Sequence, residues 1–305
     1  MPELAVIVVS NNQASWLPRC LESLRAHAGG LDLDVVVVDN GTTRESRDLV
    51  ERDHGWARVL VCPNRGFGHA NNQGLATVDA PWILFLNPDT EFREGTLEAL
   101  VGELERRPRV GLAGVRQIGP DGALLPTMRR FPSVTRALGD ALGLERLPGR
   151  PGWLGERETR LDRYDGTFEA DWTIGSFMLA RREAVERVGG FDERFFVYSE
   201  EVDFCLRVRA AGWTVAHVPL VTILHHGSSV RTLDPRMSRQ NAYAQLQFAG
   251  KHFSAPARAG YRAALLLRYA LRSLPVGDPR GRAAARAAAA LVLRGGAGPF
   301  GPAAA

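Results

Sequence analysis

Residues 4–27 read LAVIVVSNNQASWLPRCLESLRAH, and the two ends of this stretch carry different periods. Leu4 to Ser10 is an unbroken apolar run, suited to a strand covered on both faces. Trp16 to His27 instead repeats apolar residues at helical spacing. The alternation continues: Val35 to Val38 predicts a strand, Glu45 to Asp53 a helix, Val59 to Val61 a strand, Ala70 to Ala76 a helix and Trp82 to Leu86 a strand. A helix over Leu97 to Arg106 and a strand over Val110 to Val115 close the series. Strands regularly separated by helices predict an α/β fold with a mostly parallel, doubly wound sheet, whose ligands bind beyond the carboxyl ends of the strands.

The pattern weakens at the turn signal GPDG, and residues 119–165, rich in Arg, Gly and Pro, are expected to form a mobile surface segment. Order resumes at Asp171, passes through a charged segment at 198–212, and reaches strand-like Thr214 to Val218 and Val221 to Leu224. From Arg236 the chain looks helical. The expected organisation is a catalytic domain over 1–235, a C-terminal helical extension over 236–294, and a disordered tail over 295–305, GGAGPFGPAAA.

The bulk numbers permit this. The chain has 305 residues, enough to bury a large sheet, with 45% hydrophobic and 24% charged residues. It contains no run of 18 or more uncharged apolar residues, and its acidic, strand-leading N-terminus is unlike a signal peptide, so no export is expected. Three separated cysteines suit a reducing cytoplasm. The formal charge of +4 comes from arginine, since Lys251 is the single lysine; it permits an anionic partner without choosing one.

Polar residues gather where strands end. VVVVDNG places Asp39 just after a strand, where α/β folds present a carboxylate to a nucleoside, although Asp-Asn-Gly is also a good turn. NRGFGHANNQG, residues 64–74, follows a strand and opens a helix; its glycines admit close backbone approach, and a helix N-terminus suits a diphosphate. It matches neither a Walker loop nor a Rossmann fingerprint. FLNPDT ends a strand in Asn87, Pro88 and Asp89, and one strand-tip aspartate can begin a hard-cation site. YSEEVDFCLRVRAAGW, residues 198–213, opens a helix with Glu200, Glu201 and Asp203, which reads as a carboxylate site or as plain dipole capping. His225 and His226 end a later strand and offer a metal ligand or a hydrogen-bonding partner.

Taken together, NRGFGHANNQG, FLNPDT and GGFDERFFVYSEEVDFCLRVRAAGW resemble the inverting family 2 glycosyltransferases with the GT-A fold, especially the bacterial rhamnosyltransferase-like branch, over about residues 4–230. The resemblance implies a nucleoside-diphosphate sugar donor, with dTDP-L-rhamnose suggested by the branch, and an acceptor hydroxyl on a cell-envelope glycan or polyprenyl-linked carrier. It implies a donor site from Ser10, Asn11, Asp39, Asn64, Gly66, Gly68, Asn71, Asn72 and Asn87. Asp89 takes the second acidic place of the family's DxD motif, with Asn87 in the first, and would hold Mg2+ or Mn2+ with His225, His226 being the alternative. Glu201 aligns with the usual aspartate base, with Glu200 and Asp203 beside it in the catalytic cluster. Trp172, Gly175 and Ser176 fall where the acceptor site is built. The longer side chain at 201 and Asn87 depart from the pattern, and they are the support for a second reading, a catalytically inactive nucleotide- or carbohydrate-binding protein of the same fold.

Arg258, Arg262, Arg268 and Arg272 form a basic arc at helical spacing. It is read as a peripheral membrane contact on the inner face of the plasma membrane, or as the solvated face of a packed helix. A nucleic-acid partner is not expected, because the positive charge is dispersed and no helix-turn-helix or finger pattern occurs. A glycoside hydrolase would need neither the strand-tip metal residue nor the diphosphate loop.

Overall fold

The computed structural model describes residues 1–147, 149, 151–227, 234–275 and 278–300. The first half alternates as the periodicity predicts: β1 (Leu4–Ser10), α1 (Leu17–Ala26), β2 (Leu33–Asp39), α2 (Glu45–Asp53), β3 (Arg58–Val61), α3 (Phe67–Leu75) and β4 (Trp82–Leu86). It continues through β5 (Thr90–Glu94), α4 (Leu97–Glu105), β6 (Val110–Ile118), β7 (Met128–Arg129), α5 (Val134–Ala141), β8 (Phe168–Ala170), β9 (Trp172–Thr173) and β10 (Phe177–Arg181). Then come α6 (Arg182–Val188), α7 (Glu200–Ala210), β11 (Thr214–His225), α8 (Pro235–His252), α9 (Ala255–Arg272) and α10 (Pro279–Arg294).

The main sheet has the order β3-β2-β1-β4-β10-β6-β11-β5, with β8 also paired to β11. Strands β1, β2, β3, β4, β6 and β11 share one direction, while β10, β5 and β8 oppose it. The mostly parallel expectation therefore holds. β1 is buried along its whole length, which is why it reads as a continuous apolar run. Leu17, Leu21 and Leu24 of α1 and Leu97, Leu100 and Leu104 of α4 join the core cluster on one side of the sheet. A separate cluster joins Phe85, Phe191 and Phe204 on the other.

Three features escaped local periodicity. Pro88 ends β4, and the chain then re-enters the sheet as β5, antiparallel to β11. β11 is a single strand, in place of the two predicted; its register with β6 shifts between His217 and Thr222, where Pro219 interrupts the ladder. The stretch 119–165, expected to be mobile, instead contributes α5 and a fully buried Tyr164 whose hydroxyl accepts the Met128 amide at 3.0 Å. Its apolar partners lie far along the chain, as α5 packs against α9.

The basic arc on α9 is largely consumed by internal contacts. Arg262 donates to the carbonyls of Val292 and Leu293 at the end of α10, where unpaired helix carbonyls seek donors. Arg268 and Arg272 pair with Asp140 of α5 at 3.0 and 2.8 Å. Three of the four arginines thus make contacts within the protein, while Arg258 is exposed. Among the described residues no helix is long and apolar enough to cross a membrane. Of the tail expected to be disordered, residues 301–305 lie outside the described residues, and Phe300 stacks on Phe196 with ring centroids 4.9 Å apart.

Candidate active site

The parallel register brings the strand ends level, pairing Ser10 with Asp39 and Val8 with Leu86. A cleft of about 450 Å³ opens just beyond them. Asn11, Asn64, Gly66, Asn87, Asp89, Gly175, Ser176, Glu200, Glu201 and His225 all line it, so ten of the residues singled out in the sequence meet at one place.

One wall is amide-rich. Asn11 donates to the Asn40 carbonyl at 3.0 Å, and Asn40 donates to Asn64 at 3.5 Å. Gly66 sits at φ 108, and a Cβ there would collide with the Phe196 carbonyl, so only glycine fits. Asn87 is fixed by its backbone, which donates to the Ser176 carbonyl at 3.0 Å.

Asp89 and His225 meet through strand pairing. β11 aligns His225 with Thr90, the residue after Asp89, and His225 Nε2 lies 3.5 Å from Asp89 Oδ1. Both are buried, and His225 Nδ1 has no hydrogen-bond partner. Gly227 packs so closely on the Asp89 carboxylate that a side chain there would strike it. His226 points to other work: its Nε2 is 3.2 Å from Glu91, and its ring stacks on Trp16 at 4.6 Å. The choice left open between the two histidines therefore falls on His225. Ligands bonded at about 2.1 Å to one hard cation lie roughly 3 to 3.5 Å from each other. The 3.5 Å separation of Asp89 and His225 suits that arrangement. Among the described residues no group of three such ligands forms, so a cation here would need oxygens from a bound phosphate.

The glutamates enter the same cleft from the start of α7. Tyr198 and Ser199 adopt left-handed φ values of 73° and 67°, a conformation costing about 1–3 kcal/mol per non-glycine residue. These two residues turn the chain so that α7 starts with both carboxyls in the cleft. Burial, then the charge of Glu201, pushes the Glu200 carboxyl well above its usual range. Burial also raises Glu201, but nearby backbone amides and the Arg129 guanidinium pull it back. The Oε2 atoms of both are buried without hydrogen-bond partners. Gly175 packs alongside, where a Cβ would already be in van der Waals contact with the Phe67 ring at 3.6 Å and with Glu201 Cβ at 3.8 Å.

A consequence for stability follows. Above the ordinary glutamate range, the native state retains protons that the unfolded chain has released, so stability declines as pH rises toward the raised carboxyl values. Thermal unfolding of the free protein is expected to show this decline between about pH 5 and 7, with a slope of at most about 1.4 kcal/mol per pH unit per proton. Glu200→Gln should flatten the slope and raise Tm at neutral pH.

Other singled-out residues serve the frame. The Ser10 hydroxyl bonds Ser46 at 2.9 Å, and Asp39 accepts the Gly41 amide at 3.0 Å. Gly68 packs on Phe191, Asn71 donates to the Phe67 carbonyl, and Asn72 clamps both the amide and carbonyl of Phe191. The Trp172 indole donates to the Arg130 carbonyl and lies beneath Arg129. Asp203 is not in the cleft. It is fully buried among Arg207, Lys251 and His252: helical spacing puts it across α7 from Glu201, and although it shares a side with Glu200, its carboxylate pairs with Arg207 one turn on and with the end of α8. Asp203→Ala removes the buried carboxylate that Arg207, Lys251 and His252 share, of which Lys251 retains Asp192, and is expected to cost about 3–5 kcal/mol in denaturant unfolding.

A family model described as glycosyl transferase family 2 matches residues 5–189. The chain is also 32% identical over 282 residues to the N-acetylglucosaminyl-diphospho-decaprenol L-rhamnosyltransferase of Mycobacterium tuberculosis, covering 87% of this chain and 91% of that one. The chain belongs to glycosyltransferase family 2. It is therefore a glycosyltransferase that uses a nucleotide-sugar donor, and nothing favours the inactive reading. A second model, glycosyl transferase family group 2, matches residues 165–289. The rhamnosyltransferase WbbL of Escherichia coli is 28% identical over 233 residues, covering 72% of this chain and 82% of its own length. Among solved structures, a Pyrobaculum calidifontis mannosyltransferase in complex with GDP-Man and Mn2+ matches with a TM-score of 0.56 at 16% identity, covering 96% of this glycosyltransferase and 87% of that chain. That likeness bears out the GT-A fold.

The enzyme's cleft also includes residues that the sequence did not single out. Asn40 follows Asp39 at a strand end and could have been found by the same rule. Gln13, Tyr198, Met237 and Phe300 could not, because each reaches the cleft through a tertiary path.

Proposed function

We propose that this glycosyltransferase moves L-rhamnose from dTDP-L-rhamnose to a hydroxyl of a sugar carried on a polyprenyl diphosphate, inverting the anomeric centre in one displacement. The observation that carries the reading is the meeting, in one cleft, of the Asp89–His225 pair and the buried Glu200–Glu201 pair. The names of the two rhamnosyltransferase relatives support the donor sugar, and that of the mycobacterial one supports the carrier.

The amide wall of Asn11, Asn40 and Asn64 would hold the nucleoside, and the end of β4 would receive the diphosphate. Asp89 and His225 would hold Mg2+ or Mn2+, which when bound neutralises charge on the leaving nucleoside diphosphate. Glu201 takes the proton from the acceptor hydroxyl as that oxygen attacks the face opposite the leaving group. Glu200, kept neutral by burial, can donate a hydrogen bond to the same acceptor. Gly175, which lines the cleft next to Glu201, would border the acceptor ring. The enzyme would work at the inner face of the plasma membrane, where such carriers present their sugars.

A panel of nucleotide sugars, screened by thermal shift with Mn2+ and then by transfer to a sugar-diphospho-prenol, tests this. The expected result is a preference for dTDP-L-rhamnose and a product of inverted anomeric configuration by NMR. A retained configuration would overturn the single displacement, and preference for another donor would overturn the rhamnose assignment.

A further inference from the structure

The catalytic cleft does not end at the glutamates. Tyr198 and Met237 form part of its wall and also line a second cavity of about 270 Å³ between the strand residue Arg129 and helices α5, α8 and α9. That cavity shares Glu145, Arg157 and Arg272 with a third, of about 960 Å³. The shared wall residues place the three cavities side by side, a path of adjoining spaces that leads from the glutamates outward.

The path is basic. Five arginines, at 130, 157, 160, 163 and 272, line the outer cavity against two glutamates, Glu145 and Glu158. Arg130 and Arg163 share the single carboxylate of Glu158. Further in, Arg129 forms no ion pair among the described residues, and its buried Nε has no hydrogen-bond partner. Its guanidinium is braced over the Trp172 ring at 5.2 Å, and a planar fork held in place suits an oxyanion.

The outer end is also apolar. Leu147 lines the cavity and is 54% exposed; Trp153, next to the lining residue Gly152, is 58% exposed; Leu161, between Arg160 and Arg163, is 49% exposed. A ligand that rewards both features has an anionic head and a hydrocarbon tail. A nucleic acid has only the charge, and a free sugar has neither.

We propose that this path is the binding site for the prenyl diphosphate of the acceptor, with Arg129 and Arg157 on the phosphates and the lipid leaving past Leu147 and Trp153. The order of groups along the path matches such a molecule: hydroxyl at Glu201, sugar beside Gly175, diphosphate at the arginines, tail at the surface. The proposal rests on the acceptor reading given above and adds the residues that recognise its carrier.

The test measures binding of farnesyl diphosphate to the full chain by calorimetry, with the donor site filled by saturating dTDP and Mn2+. Wild-type enzyme is expected to bind it at least tenfold tighter than farnesol or pyrophosphate. Arg157→Gln, at an exposed position that should not affect folding, and Arg129→Gln should each weaken it tenfold or more, with Arg129→Lys intermediate. Variants that bind as wild type, or equal binding of farnesol, would overturn the site. Vesicles of phosphatidylglycerol form a separate arm: capture that depends on Arg157, without farnesyl diphosphate binding, would assign the arginines to bilayer headgroups and overturn the proposal. Transfer to a sugar-diphospho-prenol separates the two readings. Selective diphosphate binding without transfer would retain the subsite and reject the acceptor named above. Transfer with wild-type KM in both arginine variants would reject the subsite and retain the acceptor.

Discussion

Glu201→Gln is expected to lower kcat for sugar transfer by roughly 10²–10⁴-fold, the range a positioned general base supplies, while leaving donor affinity close to that of wild type. Amide and carboxyl have nearly the same shape, so the change removes the proton-accepting oxygen and little else. The two glutamates are not interchangeable in this role. Burial and the neighbouring charge drive Glu200 furthest from its ordinary value, whereas Glu201 is pulled back by helix amides and by Arg129. When the environments of two adjacent acids differ in this way, the one held lower is the base and the other stays protonated. Glu200→Gln, which preserves a neutral hydrogen-bond donor, should therefore cost less than Glu201→Gln. Comparing kcat and donor Kd for the two variants checks the assignment, and near-normal turnover in Glu201→Gln would reject it. The same difference fixes the sign of the pH profile: activity should rise with pH along an acidic limb displaced above the usual glutamate range, because the base must be ionised.

The frame of this site was legible in the sequence because it is set by short-range pattern. β1 is apolar throughout since it is buried on both faces, and the strand-end rule then located Asn64, Asn87 and Asp89 without any tertiary information. Asp203 shows the limit. In sequence it belongs to the acidic cluster, and helical spacing even puts it on the same side as Glu200, though across from Glu201; only the arrival of Lys251 and His252 on α8 reveals its function. The arginine arc of α9 meets the same limit. A helical wheel can tell that Arg268 and Arg272 share a face, but not that Asp140 waits opposite them. Arg129 carried no signal at all, since one arginine among many in an Arg-, Pro- and Gly-rich stretch looks like any solvated side chain.

Asp89→Asn is expected to reduce transfer by about three orders of magnitude, equivalent to about 4 kcal/mol, and to uncouple nucleotide binding from Mn2+. The substitution keeps the contact with Gly227 and the backbone bond from His226, so the fold and its Tm should change little. What it removes is the formal negative charge where this cleft can least replace it. Family members with two acidic residues in the motif have a second carboxylate in reserve, but Asn87 is neutral here and its backbone is tied to Ser176. Cation affinity would then depend on Asp89, on the His225 imidazole, and on the donor's own phosphates. The dependence should consequently be mutual: in wild type, dTDP should bind more tightly with Mn2+ present and Mn2+ more tightly with dTDP, by the same factor. His225→Ala should weaken this coupling, since it leaves the carboxylate in place, and Asp89→Asn should abolish it. Nucleotide titrations with and without Mn2+, and with chelator, decide the matter without relying on turnover. Unchanged coupling in Asp89→Asn, or full transfer in excess chelator, would mean that the buried pair at the end of β4 and β11 holds the strands together rather than a cation.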